Sequence, residues 1–365
     1  MRRNLGTTLS HLKDAARRYK LAALPAMEIG SGRLTEVHDF GSNPGALRAF
    51  TYVPPRVDPC ALVVVLHGCT QSAASYDHGS GWSELAERFG FAVLFAEQQR
   101  SNNANLCFNW FVGDDCRRGR GEALSIRRMI AAVVELESID PARIFVTGLS
   151  AGGAMTSVML ATYPEVFNGG AIIAGLPFGA ASSVPEAFER MRGHGHAADE
   201  TSAAMVRAAS QHRGPWPSIS VWHGTADPTV APMNAKAIIG QWRSLHAVGV
   251  APDREDIIDG FPHRVWIDSD GREAIEEYSI SGMGHGTPLR VNGEDGLGAA
   301  IPHMLDVGIS STRRIAERWG LLKHARSRVV AAKQAVPLRP ANPSGEASGL
   351  QATIEAALRS AGLMH

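Results

Sequence analysis

A mainly parallel, twisted α/β sheet flanked by helices is the fold that this 365-residue sequence predicts, and three observations predict it. The runs at 61–66 and 91–96 are continuously apolar, the pattern of central parallel strands covered on both faces. They alternate with amphipathic stretches of helical length, which implies crossover connections and a mostly parallel sheet. At 143–154 a β-branched and aromatic run passes through Gly148-Leu149-Ser150-Ala151-Gly152 into an Ala-rich helical run. A serine therefore stands at the apex of a strand, a tight turn and a helix.

Taken in order, the first element is an amphipathic basic helix over about 8–21, with Leu9, Leu12, Ala15, Ala16 and Tyr19 spaced to share a face. It reads either as an arm packed on the domain behind it or as a contact to a membrane or granule. A half-buried strand at 47–53 stops at Pro54-Pro55, which cannot continue a ladder. The strand at 61–66 leads into His67-Gly68-Cys69-Thr70-Gln71-Ser72, a helical stretch over 82–89 and the strand at 91–96. An irregular segment, 98–121, holds Asn109-Trp110-Phe111 between two cysteines. A helix over 122–137 presents Ile126, Ile130, Val133 and Val134 on one side, and the strand, elbow and helix to 163 follow. After an apolar strand at 171–174, residues 176–215 break the rhythm and read as a cap-like insertion with helical patches near Ala187 and Met205. The strand at 219–222, a helix over 232–245 and an antiparallel hairpin at 264–267 and 274–280 complete the sheet. Residues 299–319 read as partly helical, interrupted at Pro302, and the tail from 323 reads as a linker with a small docking helix at 351–363. The expected organisation is an N-terminal arm (1–40), a catalytic domain (41–322) and a C-terminal extension (323–365).

Composition narrows the function classes. Lys plus Arg and Asp plus Glu are both 36, so the zero net charge gives no footprint for nucleic acid. The N-terminus is too polar for the apolar core of a secretory leader, and no stretch is long and apolar enough to span a membrane. A cytoplasmic protein is the expectation, although a mature form with its leader removed would read the same. Cys60, Cys69, Cys107 and Cys116 show no spacing that suggests a metal. Cys107 and Cys116 bracket a short loop and could pair, whereas a cytoplasmic location calls for free thiols, so the disulfide state stays open. Nothing points to a cofactor, and oligomeric state is not legible.

The chemistry follows from the serine. A hydroxyl needs an imidazole to take its proton and a carboxylate to orient that imidazole, and with an elbow of this type they follow in the order Ser, Asp, His. Asp227 lies in His223-Gly224-Thr225-Ala226-Asp227-Pro228, directly after the strand at 219–222. Its rivals Asp253, Asp256 and Asp259 fall in a polar loop, and Asp268 and Asp270 in a hairpin turn. His285 lies in the glycine-rich Gly282-Met283-Gly284-His285-Gly286 after the last strand. His263 and His303 lack such a loop, and His223 reads as a brace for the acid loop. The backbone N–H groups of Ala151 and Cys69 are the expected donors to an oxyanion, and the Cys69 thiol itself has no activating base. Trp82, Trp110, Phe111 and Trp222 are candidates to line an apolar cleft, though each could equally be core.

Five segments in this order resemble the polyhydroxybutyrate depolymerase family of esterases, within the α/β-hydrolase superfamily: 66–72, 148–155, 174–177, 221–230 and 282–288. The likeness spans about 45–320. It implies an α/β-hydrolase fold and a triad on Ser150, Asp227 and His285. It also implies hydrolysis of poly(3-hydroxybutyrate), its oligomers or small esters, with relatives acting on feruloyl or acetyl esters of plant polysaccharides. Neither a secretion signal nor an appended polymer-binding domain is recognisable, which tells against crystalline polyester outside the cell. A rival of another class, a silent protein coating polyester granules through the basic helix, would lack a use for the elbow and its partners.

Overall fold

The computed structural model describes residues 32–55 and 60–322, so the helix read at 8–21 and the extension beyond 322 lie outside the described residues. In chain order the elements are β1 (Thr35–Val37), β2 (Arg48–Tyr52), β3 (Cys60–Leu66), α1 (Ala73–Ser80), α2 (Trp82–Phe89), β4 (Ala92–Glu97), α3 (Gly121–Leu136), β5 (Ile139–Leu149), α4 (Ala151–Thr162) and β6 (Gly169–Ile173). Then come α5 (Val184–Met191), α6 (Asp199–Ala209), β7 (Ser218–Gly224), α7 (Met233–His246), β8 (Arg254–Ile258), β9 (Phe261–Ile267), β10 (Glu273–Ile280), β11 (Thr287–Leu289), β12 (Met304–Asp306) and α8 (Ser311–Arg318). Ten strands form one sheet in the order β1-β2-β4-β3-β5-β6-β7-β10-β9-β8. From β4 across to β10 the neighbours run parallel, and both margins are antiparallel.

The centre of the sheet explains the layering. All of β3 is buried, and because successive side chains leave a strand on opposite faces, Leu62, Val64 and Leu66 enter one core while Ala61, Val63 and Val65 enter another. Each such aliphatic side chain contributes about 1.5–3 kcal/mol when fully withdrawn from water, so both faces must be covered. On the first face lie α3, with Ile126, Met129, Ile130 and Val133, and α4, α6 and α7. On the second lie α1, α2 through Trp82, Leu85 and Ala86, and α8 through Ile315 and Ala316. The predicted fold class is the observed one. Among the described residues no helix is long and apolar enough to cross a membrane.

Several expectations are corrected. The polar stretch holding Asp253 and Asp256 carries an edge strand, β8, whose first four residues are exposed; charge on an edge of this kind discourages pairing with another chain and hides the strand pattern. Residues 299–319 are helical only from Ser311, because 301–306 form a turn and the short strand β12, paired in parallel with β11. Within the insertion at 176–215, Ala203 and Val206 of α6 join the main core beside Met155 and Val158 of the serine helix, while Ala187 of α5 joins a smaller cluster with Ala151 and Ala154. The disulfide state, open in the sequence, is a Cys69–Cys107 bond, and Cys116 points its thiol at the Asn109 carbonyl.

Candidate active site

Strand register brings the motif-bearing turns together. Leu66 pairs with Gly148, Leu149 with Ile173, Ile173 with Trp222, and Gly224 with Ile280, so the parallel strands end on one line. The loops bearing Cys69, Ser150, Asp227 and His285 leave from that line, which is where ligand sites of parallel sheets lie.

Ser150 sits between β5 and α4 with φ 57° and ψ −117°, a conformation that side chains other than glycine seldom adopt. Its amide is tied to the Ile173 carbonyl at 2.9 Å. The glycines permit the close crossing: a Cβ on Gly148 would lie 2.7 Å from the Leu66 carbonyl oxygen, and one on Gly152 would lie 2.5 Å from that of His67. Ala151 opens α4, so its N–H has no partner within the helix and, with the helix dipole, favours negative charge beside the serine.

The acid and histidine turns hold each other. Thr225 and Ala226 donate their amides to the carbonyls of Ile280 and Met283, each at 3.0 Å, and the Gly282 amide donates to the Thr225 hydroxyl at 2.9 Å. His285 is thereby placed with Nδ1 2.7 Å from Asp227 Oδ2 and Nε2 2.9 Å from Ser150 Oγ. The Asp227 side chain is fully buried. Burial opposes its charge, but contacts from His223 and His285 and the Val230 amide outweigh that and hold the carboxyl well below the usual range. His223 Nε2 lies 2.8 Å from the Val230 carbonyl and 3.5 Å from Asp227 Oδ2, so it braces the turn from behind. The rival carboxylates are occupied elsewhere: Asp259 binds Arg290 and Arg314, and Asp268 caps its hairpin turn. Likewise His263 is buried against Glu276. His303, expected in a helix, instead occupies a turn at φ 65°, its Nδ1 3.3 Å from the His285 carbonyl.

Beside the serine, the loop after β3 is tightly specified. Gly68 donates to Gln71 Oε1, Thr70 to the Asn105 carbonyl and Gln71 to the Gly68 carbonyl, so among the described residues only the Cys69 amide of 68–71 has no acceptor. His67 Nε2 accepts the Gln98 amide at 3.0 Å, which leaves the ring hydrogen on Nδ1 to donate to the Gly68 carbonyl at 2.7 Å. Burial pushes the imidazole down to about 4, partly countered by that carbonyl, so the ring is neutral near pH 7. Gln98 also donates to the Cys107 carbonyl and to Glu122, a carboxylate only 1% exposed. Burial pushes Glu122 up to about 8, against the pull of the Asn109 amide. Neither Gln98 nor Glu122 stands out in the sequence by motif. The available signal is spacing, since Glu122 shares the apolar face of Ile126, Met129 and Val133, and a carboxylate there must be buried.

The four aromatic candidates divide. Trp110 and Phe111, edge to face at 5.2 Å, belong to a cluster with Ala151, Ala154, Leu176, Ala187 and Val230, against which the Cys69–Cys107 pair also packs. Trp82 and Trp222 are core residues, a correction to the cleft expectation. Trp82 is 1% exposed and stacks on Trp319, and Trp222 is fully buried, stacks on Tyr278 at 3.7 Å and spends its indole N–H on Ser220. A cavity of about 580 Å³ flanks the histidine turn, lined by Gly282, Met283, Gly284 and 300–307 residues such as Ile301 and Met304, but none of Ser150, Asp227 and His285 lines it.

Comparison with known proteins adds the lineage. Residues 47–253 match the family described as esterase PHB depolymerase, a span that includes Ser150 and Asp227 and ends before His285. Poly(3-hydroxyalkanoate) depolymerase C of Paucimonas lemoignei is 46% identical over 295 residues, covering 79% of this chain and 70% of that protein. An acetylxylan esterase of Coprinopsis cinerea is 31% identical over 271 residues, 72% of each chain. Among solved structures, an acetyl xylan esterase from Aspergillus awamori superposes with a TM-score of 0.67 at 24% identity, over 79% of this chain and 99% of that one, a likeness of fold.

Proposed function

Since the chain belongs to the PHB depolymerase family of esterases and is a carboxylic ester hydrolase, we propose that Ser150, His285 and Asp227 hydrolyse esters of hydroxyalkanoates, from poly(3-hydroxybutyrate) to its oligomers and related short-chain esters. The observation that carries the reading is the hydrogen-bonded line from Ser150 Oγ through His285 to Asp227, at 2.9 and 2.7 Å. Ser150 Oγ attacks the ester carbonyl carbon while its proton passes to His285 Nε2. Asp227, ionised well below neutral pH, holds the Nδ1 proton and stabilises the imidazolium. The tetrahedral oxyanion lies against the amides of Cys69 and Ala151, next to the positive end of α4. Collapse expels the alcohol, which takes the proton from His285 and leaves the acyl group on Ser150. Water then gives a proton to the same imidazole as it attacks the acyl carbon; collapse breaks the bond to Ser150 Oγ, which takes that proton back, and the acid leaves.

The depolymerase relative and the apolar pair Trp110–Phe111 favour a hydroxyalkanoate over a sugar ester. A second reading, an acetyl- or feruloyl-carbohydrate esterase, is favoured by the 31% identity to the acetylxylan esterase. A substrate panel separates them: kcat/KM is measured on 3-hydroxybutyrate oligomers, amorphous polyhydroxybutyrate, acetylated xylo-oligosaccharides and methyl ferulate. The hydroxybutyrate esters are expected to lead by about tenfold or more, the scale on which apolar pockets discriminate. A lead for the sugar or feruloyl esters would replace the first reading with the second.

A further inference from the structure

We propose that His303 is a positioning residue for the catalytic imidazole, donating from Nδ1 to the His285 carbonyl and so holding the histidine turn in line with the serine. The inference rests on the reading above, in which His285 is the base.

The turn that carries His285 is secured unevenly. On its upstream side the acid turn grips it: the Gly282 amide reaches the Thr225 hydroxyl, and the Met283 carbonyl accepts from Ala226. Beyond Met283 those ties stop. A Cβ on Gly284 would meet nothing within 4 Å, and Gly282, Met283 and Gly284 border the cavity of about 580 Å³. The backbone beside His285 is therefore thinly packed there and needs a tie downstream.

Residue 303 supplies that tie twice. Its ring Nδ1 lies 3.3 Å from the His285 carbonyl, to which no other group among the described residues donates, and its own carbonyl accepts the Thr287 amide at 2.8 Å. Gly286, between the two contacts, has no space for a side chain, since a Cβ there would lie 2.7 Å from the His303 carbonyl oxygen.

The residue type at 303 points the same way. The Met304 amide closes on the Ile301 carbonyl at 2.8 Å, with Pro302 second in the turn and His303 third at φ 65°. A turn of that pattern calls for glycine or asparagine in third place, because other side chains are strained there. A histidine kept against that preference marks a side chain with a task. Its hydrogen lies on Nδ1, which faces a carbonyl oxygen, and the ring meets the His285 ring edge to face, with centroids 5.9 Å apart at 75°. Both the backbone and the ring of His285 thus rest on one neighbour.

His285 takes a proton in each half of the cycle and returns it, first to the alcohol and then to Ser150 Oγ. Its Nε2 must keep its aim through both transfers. Loss of the His303 donor frees the backbone end of that side chain, so acylation and deacylation both slow while substrate binding stays the same.

The test uses the full chain with p-nitrophenyl butyrate. Asparagine accepts a positive φ and can present its amide N–H where Nδ1 stood, whereas glycine accepts the φ and offers no donor. In His303→Gly, kcat is expected to fall about tenfold with KM within about twofold, the cost of a slightly misplaced base. In His303→Asn, kcat should stay within about threefold of the parent's. Similar thermal unfolding midpoints in the two variants are expected, so that their difference reads catalysis and not folding. Parent-like kcat in His303→Gly would overturn the proposal, as would an equal loss in both variants or a change confined to KM. Should His303→Gly fail to fold, nitrogen NMR of the histidine-labelled parent at alkaline pH decides, the His303 signals being those absent from His303→Asn: a hydrogen on Nδ1 supports the proposal and one on Nε2 overturns it. Ser150→Ala in parallel separates the two levels: full activity there removes the serine reading itself, whereas its loss beside an indifferent His303→Gly removes only this inference.

Discussion

The turns at the strand ends and the 98–121 segment beside them form two walls of one site by opposite means. The strand-end turns are short, and each is placed by the strand before it: Ser150 by β5, Asp227 by β7 and His285 by β10, with register setting them side by side. The 98–121 segment has no ladder to place it. It is hung on long-range anchors, the Cys69–Cys107 bond, the buried Glu122 and the hydrogen bonds of Gln98. Local order fixes the proposed chemistry, and distant contacts fix the surface proposed to meet the ester. Mutations in the first wall should therefore strike kcat directly, and those in the second should act through the anchors that hold it.

The largest effect belongs to Ser150→Ala, expected to lower kcat for a soluble p-nitrophenyl ester by at least about 10⁴-fold while the thermal unfolding midpoint stays near its original value. Asp227→Asn should follow at about 10³- to 10⁴-fold, because an amide there no longer enforces the imidazole tautomer that accepts the serine proton. Retention of a tenth of the activity in Asp227→Asn would break the assignment of the acid. Gly152→Ala probes the crossing under the elbow. Its methyl would press on the carbonyls of Leu66 and His67, and since those are backbone atoms the turn must move, with an expected loss of about 1–3 kcal/mol in urea unfolding and of most activity.

In the other wall, Glu122 makes a pH prediction. Its folded value, pushed up to about 8 by burial, lies above the unfolded one, so between those values the folded state holds the extra proton. The sign follows: this group stabilises at low pH, and its contribution fades as pH rises through about 8. Glu122→Gln mimics the neutral acid. Its unfolding free energy relative to the parent should improve with pH by up to about 1.4 kcal/mol per unit between about pH 5 and 8. Parallel pH curves for the two proteins would contradict the burial argument. Smallest is Phe111→Ala, expected to raise KM for hydroxybutyrate oligomers a few-fold, about 1 kcal/mol of contact, and to leave kcat unchanged.

The same division explains what was legible in the sequence. Continuous apolar runs announced β3 and β4 because both faces of those strands are buried. Glycine-rich turns directly after strands announced Ser150, Asp227 and His285, since the backbone at those points needs what the local sequence supplies. The strand β8 was hidden because an exposed edge carries charge instead of an alternating pattern. Trp82 and Trp222 could not be told from cleft aromatics, because only packing against Trp319 and Tyr278 decides their place. The pairing of Cys69 with Cys107 crosses 38 residues and depends on β3 and β4 being neighbours, a fact of topology that no spacing within the loop encodes. For residues 176–215, a break in the strand rhythm marks an insertion but does not say that α6 packs into the core.

Whether Ser150 carries the acyl group is read by covalent trapping. The chain is treated with an alkyl fluorophosphonate, intact mass gives the stoichiometry, and peptide mapping gives the position. A single adduct on Ser150 is expected, absent from Ser150→Ala and slowed strongly in Asp227→Asn. An adduct on another residue, or equal labelling of Ser150→Ala, would contradict it.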